Sequence, residues 1–253
     1  MGVNHLEGHL LAPFLKDESY QPPADFKYPY IALAVSGGHS SLYWVKGLGD
    51  YTIIGTTKDD AAGEAFDKFA KMAGLGYPGG LLVDQMAQGR DKSGNKIGDK
   101  SGDIKKYDFP RSLILEDNLM LSFSGLKSSA HRLLDKMSPE EIKSNIHDLC
   151  ASYQEAIVDV LIHKLHQAAL RYKSSRLVVT GGVSANSRLR ARAAELAKKE
   201  GYTIVIPPLR YCTDNAAMIG YVGILRLNRG EKSDLGLKPL AQNEAEDFAY
   251  DLQ

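Results

Sequence analysis

The chain has 253 residues, of which 43% are hydrophobic and 25% charged, and its 31 basic side chains balance 31 acidic ones. These values are typical of a globular protein with one large or two small domains. The zero net charge excludes a uniformly basic surface, so any nucleic-acid surface must be a local patch or be shared with a partner. Two cysteines, Cys150 and Cys212, exclude a disulfide framework. No leader and no membrane-spanning run is visible, so we expect a cytoplasmic location.

The first predicted element is a helix over residues 4–15, and a proline-rich connector then runs to Pro29. Three strands follow, at residues 30–35, 41–45 and 51–57. The glycine-rich turns between them predict an antiparallel meander. Apolar residues in 61–73 then repeat with helical spacing.

An insertion over about residues 75–144 interrupts this pattern, and its polar tracts at 91–96 and 99–103 predict an exposed, mobile loop. Helices and strands then alternate, at residues 146–172, 176–180, 186–200 and 203–206, before a last helix capped by Thr213 or Asp214. The order β-β-β-α, insertion, α-β-α-β-α predicts an α/β fold of the ribonuclease-H-like type, with a mixed sheet covered by helices.

Two strand ends carry the same pattern, a hydroxyl residue followed by two glycines, at Ser36-Gly37-Gly38 and Thr180-Gly181-Gly182. Paired glycines let backbone N–H groups approach an anion, so this repetition favours a phosphate or nucleotide site over two ordinary turns. His39 and Asn186 follow the turns and either contact the ligand or satisfy their own loops.

His5 and His9 are four residues apart, so on a helix they share one face and can hold one metal ion, although incidental histidines give the same spacing. Leu6 stands where a zinc protease needs glutamate, which argues against that class. Asp214 is the candidate third ligand, and its alternative role is a helix N-cap. Two imidazoles and a carboxylate suit iron or catalytic zinc.

Acidic residues start the helix at 61–73: helix-dipole complementarity explains Asp59 and Asp60 but explains Asp67 less well. The Gly76–Gly80 turn could pass beneath a ribose, and Asp84 either bonds ribose hydroxyls or is a surface carboxylate. The segment 122–128 lacks P-loop spacing and is interpreted as structural. Three arginines of the helix at 186–200 are expected on a solvated face: Arg188, Arg190 and Arg192.

Together and in this order, seven motifs between His5 and about Gly220 resemble the tRNA N6-adenosine threonylcarbamoyltransferase family (TsaD): HLEGH, VSGGH, DDAAGEAFDK, GYPGG, SFSGLK, GGVSAN and CTDNAAM. The resemblance implies a lobe of the actin, Hsp70 and sugar-kinase superfamily. It implies transfer of a threonylcarbamoyl group from threonylcarbamoyl-AMP to N6 of the adenosine next to the anticodon, in tRNAs that read A-starting codons. No general base is visible in the motifs.

The resemblance also implies the site. The metal ligands would be His5, His9 and Asp214, holding one divalent ion, Fe²⁺ in preference to Zn²⁺. The substrate and nucleotide positions would be Val35, Ser36, Gly37, Gly38, His39, Asp67, Gly80, Asp84 and Asn186. The implied partners are tRNA and, for a bacterial protein, a paralogous dimer partner (TsaB type) and a small ATPase (TsaE type).

Family members carry about one further lobe before the histidine pair, so we expect residues 1–29 to be a remnant of that lobe and 30–253 to be the C-terminal lobe. The helix that bears the histidines is then expected to be weakly anchored, and the isolated chain to be a poor enzyme. A non-catalytic scaffold lobe of the tRNA-modification complex is the main alternative; a metalloprotease and a sugar kinase fit the motifs less well.

Overall fold

The computed structural model describes residues 1–97, 101–238 and 249–251. In chain order the helices and strands are α1 (His5–Leu11), β1 (Tyr30–Val35), β2 (Ser40–Gly47), β3 (Asp50–Thr56), α2 (Ala62–Met72), α3 (Gly79–Ala87), α4 (Ser124–Leu134), α5 (Pro139–Ser144), α6 (Ile146–Arg171), β4 (Arg176–Thr180), α7 (Ser187–Glu200), β5 (Thr203–Val205), α8 (Leu209–Cys212), α9 (Ala216–Asn228) and β6 (Ala249–Tyr250). Short 3₁₀ turns follow α1 at Ala12–Phe14 and β4 at Gly182–Ala185.

Within the described residues the strands form one six-stranded sheet in the order β5-β4-β1-β2-β3-β6. β1, β2 and β3 form the antiparallel meander, whereas β4 runs parallel to both β1 and β5. The predicted mixed sheet and element order are confirmed. Because β1 and β4 are adjacent and parallel, their carboxyl ends, each followed by a Gly-Gly turn, lie at the same edge of the sheet.

Helices cover both faces of the sheet, which explains why β1 is buried along its whole length. Ile31 and Leu33 face the larger core with α2, α3 and α6, while Tyr30 and Ala32 face the smaller core with α1. This alternation follows from the period of two along a strand. α6 is buried along most of its length, as its apolar pattern predicts.

The polar tract at 91–96 is a turn at the surface, as predicted, and hydrogen bonds close it. The Asp91 carboxylate accepts hydrogen bonds from the backbone of Ser93 and Asn95, at 2.9 and 2.8 Å. Lys92 Nζ donates to the carbonyls of Gly74 and Leu75, at 3.1 and 2.6 Å. Short polar side chains bond their own backbone readily, and here that closes the turn. Residues 99 and 100 of the second tract lie outside the described residues.

Asp59 caps a different helix from the one that its sequence position indicates. Its carboxylate accepts hydrogen bonds from the backbone N–H of Phe123 and Ser124, at 2.7 and 3.1 Å, and from the Ser122 and Ser124 hydroxyls, at 2.6 and 2.8 Å. It therefore satisfies the N-terminus of α4 instead of complementing the dipole of α2. The structural interpretation of residues 122–128 agrees with this arrangement.

The arginines of α7 do not form a solvated face, so that expectation is wrong. Arg188 and Arg192 both pair with the buried Glu155 of α6, at 2.5 Å each, and Arg192 also pairs with Asp159 at 2.7 Å. Arg190 donates to the Pro207 carbonyl at 2.8 Å. These ion pairs join α7 to α6 and thereby fix the position of the turn that precedes α7.

Among the described helices, none combines the length and apolar character that a membrane crossing requires.

Candidate metal centre and nucleotide cavity

Three side chains converge on one point between α1 and the start of α9. Nε2 of His5 and Nε2 of His9 lie 3.2 and 3.1 Å from Oδ1 of Asp214. The potential ligand atoms all lie within 4.8 Å of one another. α1 begins at His5 because the side chain of Asn4 caps it, accepting a hydrogen bond from the Leu6 N–H at 2.8 Å. The i, i+4 spacing then places both imidazoles on one helix face.

Asp214 is not a helix cap. Asn215 caps α9 instead, since its side chain accepts from the N–H of Met218 at 2.9 Å. The alternative role of Asp214 is therefore wrong, and its carboxylate, which is 76% exposed, can turn toward the two imidazoles.

The electrostatics of the cluster favour a metal ion. The side chain of His9 is 4% exposed. Burial lowers its pKa, and the nearby His5 lowers it further, against the opposing effect of Asp214. A neutral imidazole with a free lone pair is the form that binds a metal. Two imidazole nitrogens and one carboxylate oxygen are donors that suit Fe²⁺ or Zn²⁺, and a set of three ligands leaves coordination positions for a substrate.

Glu7 anchors the histidine helix from its opposite face. It is fully buried, and its carboxylate accepts from the Tyr51 hydroxyl at 2.7 Å and from Nε and Nη2 of Arg226 at 2.8 and 2.7 Å. Burial raises the pKa of Tyr51 far above its usual value, so the hydroxyl keeps the proton that it donates. Leu6 and Leu10 are also buried on this helix. The expectation of a weakly anchored α1 is therefore wrong.

A cavity of about 740 Å³ opens beside this cluster, at the sheet edge where β1 and β4 end. Its size is that of a nucleotide-sized ligand site. The predicted residues that line it are His5, Ser36, Gly37, Gly38, His39, Asp67, Gly80, Asp84, Asn186 and Asp214. Val35 does not line it, because its side chain is fully buried in the larger core. His9 contributes to the metal cluster from behind the cavity wall.

The turn after β1 is fixed at its ends and open in its middle. The Ser36 N–H donates to the His39 carbonyl at 2.8 Å, and the His39 N–H donates to the Ser36 hydroxyl at 3.1 Å. A Cβ at Gly37 or Gly38 would meet nothing within 4 Å. The two glycines therefore present bare backbone to the cavity, as an anion site requires.

The turn after β4 divides its two glycines between two roles. Gly181 has a φ of +87°, and a Cβ there would lie 2.3 Å from the carbonyl oxygen of Val35. It is therefore required for the close approach of β4 to β1. Gly182 faces open space and lines the cavity, like Gly37.

Gly63 holds α2 beneath the first turn, and this contact gives a testable prediction. A Cβ at Gly63 would lie 2.5 Å from the Ser36 carbonyl oxygen and 2.7 Å from Gly37 Cα. Since both are backbone atoms, Gly63→Ala is expected to destabilise the fold by about 1–3 kcal/mol and to displace the turn. Gly182→Ala, whose methyl group meets no neighbour, is the control and is expected to leave stability within about 0.5 kcal/mol of wild type. Urea unfolding of both variants checks this, and equal stability of the two would contradict it.

The polar residues of the cavity also support its walls. Asp67 accepts from the N–H of Gly79 at 2.7 Å, and Asp84 accepts from the Ser187 N–H and hydroxyl at 3.2 and 2.6 Å. Asn186 caps α7 through Leu189 at 3.0 Å. A carboxylate offers about four acceptor positions, so Asp67 and Asp84 can hold the wall and still accept from a ligand.

The sequence did not single out Tyr77 or Leu81 as site residues. Both line the cavity, yet Tyr77 is 82% and Leu81 55% exposed. Tyr77 lies between Gly76 and Pro78 in a turn, and an aromatic side chain in a polar turn was the available signal.

The sheet order, the antiparallel meander and the parallel β1-β4-β5 unit define the class of the protein, a ribonuclease-H-like α/β domain with a ligand cavity at the strand ends. A crystal structure of full-length HypF in a phosphate- and nucleotide-bound form has the same fold. It superposes with a TM-score of 0.63 at 10% identity, covering 98% of this chain and 37% of HypF.

The sequence relatives identify the family. A model of the tRNA N6-adenosine threonylcarbamoyltransferase family (TsaD) matches residues 1–221. A protein of that name from Bdellovibrio bacteriovorus is 64% identical over 98% of this chain and 68% of its own length. One from Anaeromyxobacter dehalogenans is 50% identical over 94% of this chain and 67% of its own length. The chain belongs to the tRNA N6-adenosine threonylcarbamoyltransferase family, and it spans about two thirds of the length of these relatives.

Proposed function

We propose that the chain transfers the threonylcarbamoyl group of threonylcarbamoyl-AMP to N6 of the adenosine next to the anticodon, in tRNAs that read A-starting codons, with release of AMP. The observation that carries this proposal is the opening of a His-His-Asp cluster onto a cavity with two glycine turns, in a chain of this family. A scaffold lobe that performs no chemistry would have no need for this combination, so the catalytic function is favoured.

We propose one divalent cation in the cluster, Fe²⁺ in preference to Zn²⁺, with His5, His9 and Asp214 as its ligands. When bound, such an ion supplies Lewis-acid polarisation of the mixed anhydride and holds it in place. Burial lowers the pKa of His9 and so favours the neutral imidazole that a metal ion needs, while the exposed Asp214 carboxylate would contribute negative charge.

The glycine turns are proposed to hold the adenylate. The exposed backbone N–H groups of Gly37 and Gly38 would donate to its phosphate, whose charge grows as AMP departs. Asp84 and Gly80 would contact the ribose, with Asp67, His39 and the Asn186 turn completing the wall. Val35 would contribute only backbone.

The proposed reaction forms a bond between N6 of the tRNA adenosine and the carbamoyl carbon. The bond from that carbon to the phosphate oxygen breaks, AMP leaves with the electron pair, and N6 loses a proton. The adenine amine is a poor nucleophile, so the main contribution of the cavity is to hold the two reactants together and to exclude water.

The remaining assignments concern the whole protein. We propose that residues 1–29, with α1 and its linker, belong to a preceding lobe, and that 30–253 form the C-terminal lobe with the insertion at about 75–144. We propose a cytoplasmic enzyme that works on tRNA with a paralogous partner of TsaB type and a small ATPase of TsaE type, and we expect the chain alone to be slow.

The test is a transfer assay with threonylcarbamoyl-AMP and unmodified tRNA, on the chain alone and with the two partner types added. The expected result is one threonylcarbamoyladenosine formed per AMP released, measured by mass spectrometry of digested nucleosides. AMP release that never produces the modified nucleoside, with partners present, would indicate a hydrolase and contradict the proposal.

A further inference from the structure

The mouth of the cavity carries an exposed apolar pair that the adenylate site does not use. Tyr77 is 82% exposed and Leu81 55% exposed, and both line the cavity. They lie at the start of α3, where Gly79 packs tightly against α2, since a Cβ at Gly79 would be 2.5 Å from Asp67 Cα. The packing of Gly79 therefore holds the first turn of α3 in place, and Tyr77 and Leu81 face solvent at the rim of the cavity.

A basic turn, defined as residues 90–96, lies beside this pair. Arg90, Lys92 and Lys96 are exposed there. Lys92 Nζ contacts the Leu75 carbonyl at 2.6 Å, two residues before Tyr77. The one acidic residue of the turn, Asp91, directs its carboxylate to backbone N–H groups within the turn. Arg90 and Lys92 donate to the backbone carbonyls of Gly94, Gly74 and Leu75, which carry no net charge. The basic turn therefore adds positive charge on this side of α3.

The basic turn is also held against α3. A Cβ at Gly94 would lie 3.2 Å from Nε2 of Gln85, so the backbone of the turn is in contact with that helix. The Arg90 N–H also donates to the Gln85 carbonyl at 2.9 Å, so the aromatic ring and the basic residues are attached to the same helix. An exposed aromatic side chain flanked by basic residues is the pattern that proteins use to stack unpaired bases and to contact the adjoining phosphates.

We propose that Tyr77, Leu81 and the basic turn form the surface that receives the anticodon loop of the tRNA, with Tyr77 stacking on an unpaired base at the mouth of the cavity. This rests on the proposed function. The acceptor adenosine reaches the cavity while still attached to a large molecule, so a ring at the mouth meets the tRNA. Because the chain has zero net charge, its phosphate contacts would come from a local patch such as this one.

The adenine base of the donor adenylate is a competing candidate for stacking on the Tyr77 ring. To distinguish the tRNA base from the donor adenine, the affinities of the same variants are measured for two ligands, an anticodon stem-loop RNA and AMP. Tyr77→Ala removes the ring, whereas Tyr77→Phe retains it and is the matched control.

Tyr77→Ala is expected to weaken stem-loop binding about tenfold, since one base stacked on an aromatic ring is worth about 1–3 kcal/mol. Tyr77→Phe is expected to stay within about twofold of wild type. AMP binding is expected to be unchanged in both variants, since the adenylate contacts proposed above do not include Tyr77. Weaker AMP binding by Tyr77→Ala with unchanged RNA binding would overturn the proposal and would assign the ring to the donor adenine. Unchanged binding of both ligands would also overturn the proposal, as would a wild type that does not bind the stem-loop.

The basic turn gives an independent readout. Lys92→Gln is expected to lower the slope of log affinity against log salt for the stem-loop by about 0.7, the value for one phosphate contact on a single strand. Lys199→Gln, at an exposed lysine of α7, is the control and is expected to leave the slope unchanged. An unchanged slope for Lys92→Gln would remove the basic turn from the surface. A wild type that binds the stem-loop but performs no transfer would refute the proposed function while leaving this surface intact.

Discussion

Glu7→Gln is expected to lower the free energy of unfolding by about 3 kcal/mol, the lower end of the range for breaking a buried ion pair. Glu7 is fully buried, and its carboxylate pairs with Arg226 at 2.7 Å while accepting from Tyr51. The amide removes the charge and leaves the guanidinium without its buried counter-ion. The Arg226 side chain is 26% exposed, and this partial hydration is why we place the effect at the lower end.

The same variant is expected to weaken metal binding, because Glu7 lies between the two histidines of α1 and fixes that helix against β3 and α9. Glu231→Gln is the matched control: it removes the second partner of Arg226, at 2.7 Å, but Glu231 is 39% exposed. We expect Glu231→Gln to lower the free energy of unfolding by less than about 1 kcal/mol and to leave the metal affinity unchanged. Urea unfolding with and without metal measures both effects. Equal losses for the two variants would show that burial of Glu7 is not what anchors α1.

The sequence predicts those parts of the fold that depend on local patterns. The strands β1 to β3 follow from β-branched runs between glycine turns, and α6 follows from an apolar period sustained over seven turns. The two Gly-Gly turns were found as a repeated pattern, and their proximity then follows from adjacent parallel strands. The prediction that His5 and His9 share one helix face required only the geometry of an α-helix.

Contacts between segments that are far apart in the sequence could not be predicted from the sequence. Glu7 and Arg226 are 219 residues apart, so nothing near Glu7 in the sequence reveals the cation that makes its burial possible. Arg188 was predicted to be solvated because its partner, Glu155, belongs to another helix. In each case a charged residue looks exposed in a helical pattern, and only the tertiary structure supplies its counter-ion.

A choice between neighbouring residues was also undecidable from the sequence. Asp214 and Asn215 are both good N-cap residues, and adjacent positions can each begin a helix. The structure gives the capping role to Asn215, and this makes Asp214 available as a ligand. One residue of register therefore separates a capping carboxylate from a candidate metal ligand, which matters for the last prediction.

Asp214→Ala and His9→Ala are each expected to reduce metal affinity at least about 100-fold, because losing even an outer-sphere partner costs about 10–100-fold. Asp214→Ala is the cleaner test. Asp214 is 76% exposed and does not cap α9, so its removal is expected to leave the free energy of unfolding within about 0.5 kcal/mol of wild type. Metal per chain, measured by mass spectrometry after anaerobic loading with Fe²⁺ and in parallel with Zn²⁺, is expected to fall from one in wild type to near zero.

The chain offers a matched control for this prediction in a second histidine-aspartate pair. Nδ1 of His131 in α4 lies 2.6 Å from the carboxylate of Asp135, the C-cap residue of that helix, and both side chains are 62% exposed. Among the described residues this pair belongs to no group of three possible metal ligands. His131→Ala and Asp135→Ala are expected to keep the full metal content and transfer activity. Metal retained by Asp214→Ala, or lost equally from the α4 variants, would mean that binding does not depend on the convergence of His5, His9 and Asp214. Loss confined to His9→Ala and Asp214→Ala would show that α1 and the start of α9 assemble the site together.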